Sequence, residues 1–127
     1  MAYTKQDLWA DIPPATARTP VGIMREQASL LGTKTRNVVE AEVETRTFPD
    51  DRMFCHNFVL VAPALGNYRY TLFQARHGME LYPVEFNFEG EQRTAKDEER
   101  FVELLRSILA NERTLRVIDA LLSQSVS

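Results

Sequence analysis

The sequence predicts an α+β protein in which a four-stranded antiparallel β-meander lies between one N-terminal helix and two C-terminal helices. Three observations predict this fold. Apolar residues recur at helical spacing over residues 20–32, alternate with polar residues over residues 37–88, and return to helical spacing over residues 94–124. Because 127 residues is the length of one ordinary domain, we expect a single domain over 1–127.

Residues 1–19 are predicted to form a short helix followed by a proline-rich linker. Thr4 and Asp7 have the spacing of a capping box, and Leu8 and Trp9 follow it. The helix is expected to end before Pro13-Pro14, where the linker begins.

The first long helix is predicted over residues 20–32. Thr19 is a favourable N-cap residue, and Pro20 suits the first helical position because its fixed φ is helical. Gly32 stands where a helix commonly ends. The apolar stripe consists of Val21, Met24, Ala28 and Leu31, with Ile23 and Leu30 beside it.

The first two strands are predicted to pair through a turn between Phe48 and Met53. Alternation of apolar and acidic residues from Val39 predicts a strand with one buried face. Placing Phe48 opposite Met53 fixes the register of every other pair. The expected pairs are Glu40 with Val61, Ala41 with Leu60, Glu42 with Val59, Val43 with Phe58 and Glu44 with Asn57.

Two further strands are predicted, from Tyr68 to Arg76 and from Glu80 to Phe88. His77-Gly78 is expected to form a tight hairpin turn between them. Pro83 lacks a backbone donor, so the fourth strand is expected at an edge of the sheet.

Two helices are predicted to close the chain. Thr94 and Asp97 form a second candidate capping box ahead of a helix. Asn111 or Thr114 is expected to cap the last helix. The apolar stripes of these helices contain Phe101, Leu104, Leu105 and Ile108, then Leu115, Ile118, Leu121 and Leu122.

Strict alternation along the strands predicts an apolar patch on the sheet face opposite the core. The first strand is polar on that face, whereas the second and third strands are not. Such a patch is expected to be covered by the last helix or by a second copy of the chain, and we favour the copy. The candidate interface residues are Val59, Val61, Tyr68, Tyr70 and Leu72, with the acidic ladder Glu40, Glu42 and Glu44 at the rim.

Composition excludes several functional classes. The net charge of −3 argues against nucleic-acid binding, which uses basic surfaces. No apolar run is long enough to span a membrane, and the first residues, Met1 to Asp7, contain no apolar signal-peptide core. A single cysteine, Cys55, permits no internal disulfide, and we expect a cytoplasmic protein. The common dinucleotide, phosphate-binding, hydrolase and zinc motifs are absent, and no cofactor is expected.

Cys55, His56 and His77 are the residues best suited to chemistry. Adjacent strand residues point to opposite faces, so Cys55 and His56 are not expected to act together. His56 and His77 are expected on the core face near one end of the sheet. No third metal ligand is evident beside them, so no catalytic or metal-binding residue is assigned.

These observations predict a small binding or interaction protein without enzymatic activity. It is expected to form a homodimer and to engage a protein partner. The first alternative is a binder of a small or lipid-like molecule, held between the sheet and its helices. The second is an enzyme that uses His56 or His77 with a carboxylate.

Overall fold

The protein is described by a computed structural model over residues 6–127. One helix precedes an antiparallel sheet and two helices follow it, which confirms the predicted α+β fold. The sheet has five strands in sequential order and not four. The helices are α1 (Pro20–Lys34), α2 (Glu98–Leu109) and α3 (Glu112–Ser125), the strands are β1 (Glu40–Phe48), β2 (Met53–Ala62), β3 (Tyr68–His77), β4 (Val84–Phe88) and β5 (Glu91–Ala95), and a 3-10 turn spans Pro63–Leu65.

The register of the first hairpin is as predicted. Phe48 pairs with Met53, and each predicted pair from Glu44–Asn57 to Glu40–Val61 is present. The alternation of Val and Glu along β1 specifies this register, since a slip of one residue would bury the glutamates.

The prediction of a short helix before α1 is wrong for residues 6–19. Thr4 lies outside the described residues, and residues 6–19 contain no helix. Leu8 and Trp9 are almost fully exposed, so no packing offsets the cost of ordering a short helix.

A β-bulge changes the side-chain directions along β3. Phe58 pairs with Phe73 but Val59 pairs with Thr71, so Leu72 is an extra residue on β3. The extra residue turns Leu72 to the core face, and every β3 residue before it changes face as well. Tyr70 therefore pairs with Leu60 on the core face, and Arg69 and Thr71 occupy the face where Tyr70 and Leu72 were predicted.

The end of the sheet also differs from the prediction. His77-Gly78 does not close a tight hairpin, because β4 begins only at Val84. Pro83 precedes β4, and β4 pairs with strands on both sides, so the predicted edge position is wrong. The edge is β5, joined to β4 through Glu89 and Gly90, whose φ values of 53° and 76° are those of a type I′ hairpin turn.

The helix caps explain where the helices begin. The Thr19 hydroxyl accepts a hydrogen bond from the Gly22 backbone N–H at 3.0 Å, as predicted. Asp97, and not Thr94, caps α2 by accepting from the Arg100 N–H at 2.9 Å, because Thr94 belongs to β5. Asn111 caps α3, as one of the two predicted alternatives.

All three helices contribute to one core on one face of the sheet. Met24 of α1, Phe101 of α2 and Leu121 of α3 belong to the same cluster as Phe58 and Phe73 of the sheet. Burying this apolar surface is the main source of stability. The opposite face is largely polar and carries, besides the acidic ladder, Arg46, Asn57, Arg69, Gln74, Arg76, Glu85, Asn87 and Gln92.

Candidate functional site

A groove between α1 and α3 has a mainly apolar lining. It has a volume of about 240 Å³ and lies along the C-terminal half of α1. Its floor is formed by the core-facing side chains of β2 and β3. Its walls come from Gln27, Leu30, Leu31 and Lys34 on α1, Leu109 at the end of α2, and Thr114, Leu115 and Ile118 on α3.

The floor of the groove is continuous with the core. Phe58, Leu60 and Leu72 line it, and each is nearly inaccessible to solvent. Leu72 reaches the floor because of the β3 bulge, since regular alternation would have placed it on the other face. A ligand in the groove would therefore rest on rigid, well-packed side chains.

The rim of the groove combines apolar and polar groups. Leu30 of α1 is 48% exposed and Leu115 of α3 is 55% exposed, so two large apolar side chains at the rim face solvent. Gln27 and Lys34 stand on the α1 side and supply an amide and a cationic group. The groove can therefore receive apolar side chains and an acidic group near Lys34.

The turn between α2 and α3 holds the α3 wall in place. Thr114 is completely buried, and its hydroxyl donates to the Ile108 carbonyl at 2.7 Å. Asn111 Oδ1 accepts from the Arg113 N–H at 2.8 Å and so fixes the first turn of α3. These two bonds set the direction in which α3 leaves α2, which determines the width of the groove.

The predicted apolar patch on the opposite sheet face is reduced to Val59 and Val61. Both are buried, although Glu42 and Glu40 flank them on β1. The Arg69 guanidinium donates to Glu42 Oε2 at 2.9 Å and to Glu44 Oε1. Because Arg69 starts on β3 and both acids lie on β1, its side chain must cross β2 and cover these valines.

The acidic ladder is therefore not a free anionic surface. Arg69 holds Glu42 and Glu44, and these carboxylates raise the pKa of the guanidinium through hydrogen bonds and charge. Glu40 is half-buried beside Val61. The five apolar residues predicted to share this face do not all share it, so the predicted interface loses Tyr68, Tyr70 and Leu72.

Tyr68 and Tyr70 instead line a second cavity beneath α3. Its volume is about 580 Å³, and Leu65 and Leu121 contribute its apolar part. Arg113 and Arg116 stand at its edge, paired with Glu89 and Glu112. Since both guanidinium groups already have acidic partners, the cavity presents little net charge.

The two histidines form a buried pair, as their predicted positions suggested. His56 Nε2 and His77 Nε2 are 2.9 Å apart, and the rings stack with centroids 5.0 Å apart. The Thr45 hydroxyl lies 2.9 Å from His56 Nδ1. His77 Nδ1 faces the backbone oxygens of Gly78 and Glu80 at 2.8 and 3.1 Å.

These contacts permit one arrangement of protons when both rings are neutral. His77 Nδ1 must carry a proton, because both of its partners are carbonyl oxygens that only accept. His77 Nε2 then accepts from His56 Nε2–H, and His56 Nδ1 accepts from the Thr45 hydroxyl. Every ring nitrogen of the pair has a hydrogen-bond partner in this arrangement.

The surroundings disfavour the charged form of His56. Burial, then the neighbouring His77 and then the Arg25 guanidinium lower the pKa of His56 from 6.5 to about 4. The ring is therefore neutral near pH 7. The pair is a structural hydrogen-bond network within the core face.

The geometry of the pair gives little support to the alternative of an enzyme that uses His56 or His77 with a carboxylate. Among residues 6–127, neither imidazole makes a hydrogen bond to a carboxylate. Within the same range, no group of three or more His, Cys, Asp or Glu residues could hold a metal ion. Each ring nitrogen already has a hydrogen-bond partner within the protein, so a substrate would have to displace one of these partners before either ring could exchange a proton with it.

Cys55 points away from His56, as predicted. It pairs with Arg46 and Arg76 on the polar sheet face, whereas His56 lies on the core face. Burial raises the pKa of the thiol, although the neighbouring Arg76 and Arg46 oppose the shift. A buried, protonated thiol is a poor nucleophile.

The groove has only a weak signal in the sequence. Leu30 lies beside the apolar stripe of α1 and not within it. At the edge of the stripe, it borders the groove. The periodicity of α3 predicts that Leu115 is buried in the core, whereas it is half exposed. The apolar pattern of neither helix contains information about the distance between α1 and α3.

Comparisons with known proteins add no function to this geometry. No family model matches this chain, and no curated protein or solved structure is significantly similar to it. No helix within the described residues is long and apolar enough to cross a membrane.

Proposed function

We propose that this chain is a non-enzymatic binding protein whose α1–α3 groove receives a short apolar segment of a protein partner. The observation that carries the proposal is the open apolar groove itself. Two leucines at its rim are about half exposed above a floor of core side chains. Apolar surface that remains open beside a packed core is typical of interaction sites.

The rim indicates the chemistry of the partner. The two helices leave a channel in which an extended or helical segment can place apolar side chains against Leu30 and Leu115. Lys34 is the cationic group at this rim, so an aspartate or glutamate beside the apolar residues would gain a favourable contact. The partner segment is therefore apolar with at least one acidic residue.

A lipid-like molecule is the second candidate for the same groove. The continuous apolar floor of Phe58, Leu60 and Leu72 favours it, because an acyl chain makes only apolar contacts. Its carboxylate head would use Lys34 in the same way as an acidic side chain.

A peptide-display selection against the whole chain tests the proposal. The expected peptides carry apolar residues next to an acid, and they lose at least tenfold in affinity against Leu30→Glu or Leu115→Glu. Both leucines are substantially exposed, so these variants are expected to fold. Met79→Glu is the matched control, because Met79 is an exposed apolar residue outside the groove.

Three outcomes contradict the proposal. A selection that enriches no peptide against either the native chain or the Ile12→Asp variant does so, as does enrichment of peptides whose binding is unaffected by Leu30→Glu. Oleate binding that Leu30→Glu removes, in the absence of any peptide binding, would assign the groove to the lipid-like ligand instead.

A further inference from the structure

The segment before α1 is the largest cluster of exposed apolar side chains in the described chain. Leu8, Trp9 and Ile12 are 83%, 81% and 77% exposed. Asp7 directly precedes Leu8, and Asp11 directly precedes Ile12. Three large apolar side chains this close together in solvent are costly unless they are buried in some state of the protein.

This segment has the chemistry that the groove requires. The groove offers an apolar floor and Lys34 at its rim, and residues 7–12 offer apolar side chains together with two acids. We propose that residues 7–12 of a second copy of this chain occupy the α1–α3 groove, so that two chains exchange their N-terminal segments around a two-fold axis. The inference rests on the proposed function, because it assigns an occupant to the same groove.

The linker favours exchange over insertion into the same chain's groove. The groove lies along the C-terminal half of α1, whereas the segment leaves from the N-terminal end. Insertion into its own groove would require the chain to reverse within residues 13–19. Pro14 keeps Pro13 out of the helical region, and Pro13 does the same for Ile12, so a reversal would have to fall within the few residues from 14 to 19.

The apolar surface of the segment itself is substantial. A buried tryptophan contributes roughly 150–250 Å². With Leu8 and Ile12, one segment would bury roughly 400 Å² of its own surface, so two symmetric junctions would bury roughly 800 Å² of segment surface besides the groove surface that they cover. Removing this apolar surface from water is what favours the exchanged dimer.

Trp9 is the only tryptophan of the chain, so its fluorescence reports directly on the segment. At micromolar concentration we expect a sedimenting species of twice 14.6 kDa with blue-shifted tryptophan emission. Dilution should return the mass and the emission together to those of a monomer with an exposed indole. A monomer with blue-shifted emission would mean that the segment fills its own groove, which would overturn the exchange. A monomer with exposed Trp9 at all concentrations would overturn it as well.

Complementation between two variants identifies the junction. Ile12→Asp impairs the segment and leaves the groove intact, whereas Leu30→Glu impairs the groove and leaves the segment intact. Each variant alone should be monomeric, while their mixture should contain a heterodimer with one functional junction. Met79→Glu should remain dimeric, as a control for added charge. If either Ile12→Asp or Leu30→Glu alone still dimerises as the native chain does, the proposed junction is wrong.

The failure of this inference can be separated from the failure of the proposed function. The Ile12→Asp variant presents an empty groove, and a synthetic peptide of residues 6–14 serves as the probe. Peptide binding that Leu30→Glu removes, in a native chain that never dimerises, would refute the exchange and keep the groove as a peptide site. Selected apolar-acidic peptides that bind while the 6–14 peptide does not would likewise refute the exchange and keep the peptide site. If no peptide binds the empty groove, both proposals fail.

Discussion

Acidification should destabilise this protein through His56. The ring is buried and neutral, and its pKa is lowered from 6.5 to about 4 by burial, by His77 and by Arg25. The folded state therefore binds fewer protons than the unfolded state between these two values. Stability from this source is fully present above pH 6.5, and it is lost as the pH falls through 6.5 towards 4.

The magnitude follows from the two pKa values. A change from 6.5 to about 4 corresponds to a loss of about 3 kcal/mol between pH 7 and pH 4. This is a large share of the stability of a domain of this size. Carboxylates also titrate in this range, so the contribution of His56 must be obtained as a difference between two proteins.

Urea denaturation of the native chain and of His56→Gln at several pH values supplies that difference. Glutamine retains hydrogen-bonding groups but does not titrate, so the variant should be less stable at pH 7 and lose less stability on acidification. The difference in the free energy of unfolding between the two proteins should decrease by about 2–3 kcal/mol between pH 7 and pH 4. Parallel curves, or an NMR titration that gives the His56 ring a pKa near 6.5, would refute the prediction that the buried His56 is neutral.

Buried contacts at the bulge, at the α2–α3 turn and at Cys55 lead to three more predictions. Leu72→Ala should lower the free energy of unfolding by about 2–4 kcal/mol because the bulge buries Leu72, while exposed Thr71→Ala should change it by less than about 0.5 kcal/mol; equal effects in urea denaturation would contradict the bulge. Thr114→Val should cost about 1 kcal/mol in the same assay by removing one of the donors to the buried Ile108 carbonyl, which keeps the Asn111 N–H at 3.2 Å, and Thr114→Ser should recover most of the loss. Cys55 should react with a disulfide reagent only under unfolding conditions, and rapid labelling of the folded chain would show that the thiol is accessible.

The first hairpin could be predicted because several signals agree there. The glutamates of β1 tolerate only one register, and the turn from Phe48 to Met53 fixes the same one. The positions of His56 and His77 follow from this register and from the end of β3. Side-chain alternation therefore brings both histidines to one end of the core face, although it contains no information about their separation.

The face of Tyr70 and Leu72 could not be predicted from alternation. Leu72 and Phe73 are consecutive large apolar residues, and a regular strand buries only one of them on the core face. The protein buries both through a bulge, which leaves Arg69 on the polar face. The salt bridges of Arg69 with Glu42 and Glu44 fit this outcome.

Strand β5 escapes prediction for a different reason. Glu91–Ala95 has one buried residue, Ala95, so its composition is typical of a loop. Backbone hydrogen bonds with β4 stabilise this polar edge strand. Such bonds do not require a periodic pattern of apolar side chains. The α1–α3 groove could not be predicted from the sequence either, because it depends on the distance between the two helices.

The sequential order of the strands has a consequence for the rate of folding. Each strand pairs only with its neighbours along the chain, so every ladder closes a short loop. Low contact order of this kind favours rapid folding, and the sheet can extend one hairpin at a time from β1 to β5. The long-range contacts belong to the helices, since Met24 and Leu121 join one core from opposite ends of the chain. Ribosomal synthesis completes α3 after the sheet, so the sheet can form before α3 packs against it.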